Sequence, residues 1–169
     1  MQIKLALMAV MLFCSIAFAE HDRGDWVSFD VYDEENDVTG TLDLSVVDVS
    51  YSARRALIRS EYHFPGYEGV DEAWTSFDDL TSRSDIQNIF DGCEQAGGTM
   101  GTYYVSRRSS FYEACQRTNL KMKSPYKNLT ATDAVWFGYA PIYGIFELHA
   151  RDENNFKTVM KVRDFSYAL

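Results

Sequence analysis

The feature that most narrows the fold is a side-chain alternation of period two that returns along the chain. Val27, Phe29 and Val31 alternate with Ser28, Asp30 and Tyr32, and Leu42, Leu44 and Val46 alternate with Thr41, Asp43 and Ser45. In the next run Ala56, Ile58, Tyr62 and Phe64 share one parity while Arg55, Arg59, Glu61 and His63 share the other, until Pro65-Gly66 stops it. Near the C-terminus, after a turn over Asp152 to Asn155, Phe156, Met160 and Val162 alternate with Lys157, Val159, Lys161 and Arg163. Successive side chains of a strand point to opposite faces, so this pattern specifies strands with one buried and one wetted face. Short turns between such runs suggest an antiparallel meander of about nine strands. A sheet of that size must curl or close to hide its inner face and its edges. The expected architecture is mainly β: a single curved antiparallel sheet, half-barrel or barrel, with one short helix. A sandwich satisfies the same pattern.

The helix is expected after Ser84, because Ser84-Asp85-Ile86-Gln87 has capping-box spacing. Ile86, Ile89, Phe90 and Cys93 then recur on one helical face, and Gly97-Gly98 ends the element. A hairpin follows. With a turn at Arg107 to Ser110, Ser106 faces Phe111 and Thr102 faces Cys115. The stretch KMKSPYKNLTAT, residues 121–132, reads as a basic loop. Val135 to Leu148 is strongly apolar but too short to span a bilayer as a helix, and Pro141 and Gly144 divide it into two strands.

The first residues set the compartment. MQIKLALMAVMLFCSIAFAEHD has a lysine start, an apolar run and Ala17-Phe18-Ala19 before polar residues, which is the plan of a secretory signal peptide. Cleavage after Ala19 leaves residues 20–169 as one β-rich domain in the periplasm or outside the cell. His21 falls in the new N-terminus, where disorder is expected. Of three cysteines, Cys14 leaves with the signal and Cys93 and Cys115 remain. They are too far apart for a Cys-x-x-Cys redox pair, and no further ligands lie near enough for zinc. Two cysteines in an oxidising compartment are read as a disulfide, here pinning the helix to the sheet. The net charge of −9 argues against nucleic acid as a partner.

Little in the chain looks like chemistry. Glu147 with His149, and Glu61 with His63, share strand faces and have the spacing of an acid–base pair or two metal ligands, yet ordinary polar faces account for both. Asp33, Glu35 and Asp37 resemble the start of a calcium loop, but Val38 stands where the glycine is needed. Asn128-Leu129-Thr130 is a glycosylation sequon. What stands out is aromatic content: 11 Tyr, 11 Phe and 3 Trp, dense in 135–148. Trp136, Tyr139 and Phe146 are the candidate ligand-binding residues, expected to line the concave side of the sheet. No cofactor and no metal is expected.

Three segments carry a resemblance: Gly24-Asp25-Trp26-Val27, the run Cys93…Gly97-Gly98…Phe111…Cys115, and Trp136…Pro141…Gly144-Ile145. Together they resemble uncharacterised exported bacterial β-proteins, with VSRRSSF standing where those carry VPAGTF. Such proteins are similar in plan to lipoprotein-carrier half-barrels, an antiparallel sheet wrapped around helix. The resemblance implies no catalytic residue. Three functions are weighed: an exported, non-enzymatic β-protein holding a lipid or other apolar small molecule; a structural or adaptor protein of the cell envelope with a filled core and a protein partner; and a hydrolase built on His149 or His63. A sealed interior favours the second. A His–carboxylate pair buried in a cleft favours the third.

Overall fold

The structure is a computed structural model and describes residues 21–33, 37–120 and 129–168. The signal segment, the centre of the acidic turn after Asp33, and Asn128 lie outside the described residues. The alternating runs form nine strands: β1 (Trp26–Tyr32), β2 (Val38–Ser50), β3 (Arg55–Phe64), β4 (Tyr67–Ser76), β5 (Thr99–Val105), β6 (Ser110–Leu120), β7 (Leu129–Phe137), β8 (Ile145–Asp152) and β9 (Lys157–Ser166), with helix α1 (Arg83–Asp91) between β4 and β5. They make one antiparallel sheet in the order β4-β3-β2-β1-β9-β8-β7-β6-β5. This is two meanders joined edge to edge rather than one. The chain walks outward from β1 to β4, crosses through the helical segment to the far edge, and walks back from β5 to β9. The joining pair is β1 with β9, in which Phe29 faces Val162 and Val31 faces Met160.

The sheet is open, with β4 and β5 at its edges, and its β5–β6 end curls over β9. Arg108 in the β5–β6 turn donates to Asp164 on β9 at 2.7 Å and its guanidinium sits 4.4 Å from the centre of the Phe165 ring. Buried side chains from every strand except β4 form one continuous core, which Ile86 and Phe90 of α1 join. The polar parity of β1, β2 and β9 forms its own network, with Arg163 Nη2 donating to Ser28 Oγ at 2.7 Å and Ser28 bonded to Asp43.

Several local expectations are corrected. The helix cap is Ser82, not Ser84: Ser82 Oγ accepts from the Asp85 backbone N–H at 3.1 Å while the Asp85 carboxylate accepts from the Ser82 N–H at 2.9 Å. Two serines compete for the role, and the one with extended backbone geometry wins it. The helix also ends earlier, at Asp91 with Gly92 as its cap, so Cys93 lies just beyond it and Gly97, at φ 77°, belongs to the following turn. In the hairpin, Phe111 faces Tyr104 and Cys115 faces Met100. A single helical turn over Ser106–Arg108, closed by Ser109 at φ 48°, replaces the expected turn and shifts the register by two. β7 begins at Leu129, inside the segment read as loop. Phe156 is exposed while Val159 is buried, so the last strand does not alternate as expected. His21 is not in a loose end; it is 2% exposed with its ring 5.3 Å from that of Phe77.

Cys93 and Cys115 are disulfide-bonded, with Cα atoms 6.0 Å apart and both residues buried. The bridge joins the end of the helical segment to β6. Pro141 lies in the turn between β7 and β8, where Thr81 N–H donates to the Ile142 carbonyl at 2.8 Å. Gly144 at φ 63° closes that turn, and a side chain there would strike Ile86 and Thr81.

Candidate functional site

The three candidate ligand-binding aromatics, Trp136, Tyr139 and Phe146, have three different surroundings. Phe146 is fully buried. Its ring lies 5.4 Å from that of Tyr103 in a near-parallel stack, 5.7 Å from Tyr112 and 5.8 Å from Phe165. Gly138 makes room for it, since any side chain there would occupy the place of the Phe146 ring. Tyr139 instead meets the helix: its ring packs edge-on against Phe90 at 5.3 Å and its hydroxyl donates to Gln87 Oε1 at 2.6 Å. Trp136 lies against His149, with ring centres 5.2 Å apart.

That last contact opens onto a cluster of ionisable groups. Trp136 on β7 stands opposite Glu147 on β8, and Glu147 stands opposite Lys161 on β9. His149 Nε2 is 2.6 Å from Glu147 Oε1, and Lys161 Nζ is 3.7 Å from the same oxygen. Tyr103 reaches across the curl from β5 and donates its hydroxyl to Glu147 Oε2 at 2.7 Å. Both carboxylate oxygens are therefore engaged, with the side chain 12% exposed. Burial alone would raise the pKa of Glu147. The hydrogen bonds from His149 and Tyr103, with the nearby charge of Lys161, outweigh it and hold the carboxyl below its ordinary value. Burial, and then the adjacent carboxylate, push the Tyr103 phenol far upward, so it stays a donor.

Glu147 thus ties three strands together: its own β8, β5 through the Tyr103 hydroxyl, and β9 through Lys161. His63, the other candidate, is exposed and lies 3.8 Å from Asp43. The sequence shows Glu147 and His149 as neighbours. It cannot show Tyr103, whose partner is 44 positions away and becomes adjacent only when β5 curls over β8.

This tie makes a testable prediction. Tyr103→Phe should destabilise the fold by roughly 1.5–3 kcal/mol at pH 7, the usual range for a bond to a charged group. The folded pKa of Glu147 lies below its unfolded value. Its contribution is thus fully present above the ordinary carboxylate range and is lost as pH falls through the depressed folded value. The wild-type advantage over Tyr103→Phe should therefore shrink as pH drops below 4.5, read from denaturant unfolding at a series of pH values. An advantage constant with pH would show that the ionised carboxylate is not what the tyrosine holds.

A separate open cleft of about 390 Å³ lies beside the helix, lined by Asp85, Asn88, Ile89, Gly92, Ala96 and Arg117. None of the three candidate aromatics lines it. Among the described residues no group of histidine, cysteine or carboxylate side chains could hold a metal ion, and no helix is long and apolar enough to cross a membrane.

The fold thus defines the chain as an open, curled nine-stranded antiparallel sheet with one helix packed on it through Ile86 and Phe90 and one disulfide staple. No family model matches the chain, and no curated protein matches it. Among solved structures it is similar to a Bacteroides fragilis protein provisionally designated exported, with a YmcC-like fold, at 10% identity over 86% of this chain and 97% of that one, with a TM-score of 0.49. It is also similar to a provisionally designated lipoprotein of Parabacteroides distasonis, at 11% identity over 86% of this chain and 96% of that one, with a TM-score of 0.38.

Proposed function

We propose that the chain is an exported, non-enzymatic β-protein of the cell envelope that acts through its surface, as a structural or adaptor element, and that the curl of its sheet is filled by its own side chains. The observation that carries this reading is Phe146 at 0% exposure, stacked among Tyr103, Tyr112 and Phe165 where the curl closes. Rings in mutual contact spend their apolar surface on one another, so an acyl chain would have to displace them. Export rests on the leader-like first 19 residues. It is supported by the disulfide, a bond that persists in oxidising compartments.

The test is native mass spectrometry of protein purified from its own cell envelope. The reading expects a mass equal to the chain cleaved after Ala19, with one disulfide and no bound lipid. A lipid that co-purifies in stoichiometric amount would replace it with the ligand-carrier reading.

A further inference from the structure

β4 departs from every other strand. It is ten residues long and pairs with β3 along its whole length without a bulge, yet it buries none of its side chains. It is also an edge of the sheet, so every second residue turns its N–H and C=O away from β3. Proteins ordinarily blunt such edges with short strands, bulges, proline or lysine. β4 has none of these. Its outward parity instead reads Glu68, Val70, Glu72, Trp74, acid alternating with apolar. Val70 is 62% and Trp74 48% exposed. Asp71 adds a third carboxylate on the other face, and the strand carries no basic residue.

We infer that the β4 edge is a docking site for an extended segment of a partner protein, added as a tenth strand, in which basic and apolar residues alternate. The edge selects a strand, because only a strand meets its row of backbone donors and acceptors. The side chains select the chemistry. On one face an incoming strand meets Glu68, Val70, Glu72 and Trp74 in turn; Arg59 of β3 holds Glu72 through Oε1 at 2.7 Å, so Glu68 and the remaining oxygen of Glu72 call for lysine or arginine, and Val70 and Trp74 for apolar residues, at alternate positions. A second copy of this chain is disfavoured. Two-fold antiparallel pairing of two β4 strands centred on Asp71 or on Glu72 sets a carboxylate directly against its own copy, on a chain whose net charge is already −9. The inference deepens the surface-acting reading above by naming a partner class, while the geometry of the edge stands apart from it.

The probe is an end-blocked ten-residue peptide with lysine, valine, lysine and valine at alternate positions and threonine between, titrated against the full mature chain. A matched peptide with glutamate for lysine is the control. The lysine peptide should bind, the glutamate peptide should not, and amide hydrogen exchange should slow across residues 67–76. Glu68→Lys with Glu72→Gln should weaken binding by about tenfold or more while leaving the thermal midpoint within a few degrees. Val70→Ser with Trp74→Ser is a second variant that spares the charges and should also weaken binding. No binding, equal binding by both variants, or protection arising elsewhere would each overturn the proposal. A wild-type dimer with protected β4 amides would overturn the choice of occupant. A lipid found in the native mass spectrum with peptide binding intact would remove only the surface-acting reading. Loss of peptide binding with an empty interior would remove only this one.

Discussion

Phe146→Ala is expected to lower stability by about 3–5 kcal/mol, the range for deleting a fully buried aromatic ring. At this chain length that corresponds to a fall in melting temperature on the order of 10 °C. The cost has two parts. Burial of the ring is lost, and the void cannot easily close, because Tyr103, Tyr112 and Phe165 are each held from another strand and Gly138 offers no side chain to move in. The same variant separates two functions. In a filled core, the wild type binds no apolar fluorescent probe and the substitution is severe. In a ligand pocket, the wild type binds the probe, and the substitution weakens that binding at small cost in stability. One denaturation curve and one probe titration read both outcomes.

Cys115→Ala is expected to cost roughly 3 kcal/mol, the chain-entropy value for opening a loop between residues 93 and 115. The β5–β6 hairpin shortens the effective loop, which reduces the effect. The loss of packing around two buried sulfurs increases it. Mature wild-type protein, denatured without reductant, should show no free thiol. Its stability should fall on reduction to near that of the variant, whose own stability should not respond to reductant. Two titratable thiols per chain, or equal midpoints for wild type and variant, would contradict a structural bridge.

What could be read from the sequence and what could not divides along one physical line. Strands β1, β2 and β3 were legible because each buries one parity, and hydrophobic alternation is a local record of that burial. β4 was not, since it buries neither face and so leaves no alternation. The helix was visible from Ile86, Ile89 and Phe90, while its cap was misplaced between two serines that only the backbone conformation distinguishes. The hairpin between the cysteines was legible, and its register was not, because a helical turn with Ser109 in the left-handed region fits the same residues as a plainer turn. The cysteine pair needed only compartment and count. For the candidate site, the sequence showed the aromatic density of 135–148 and the adjacency of Glu147 to His149. The tertiary structure alone decided that Phe146 is enclosed, that Tyr139 answers to the helix, and that Glu147 is held by a tyrosine from another strand. Periodicity reports which side of an element meets water. It carries no information about which distant element lies on the other side, and that is settled only when the chain joins β1 to β9 and curls β5 over them.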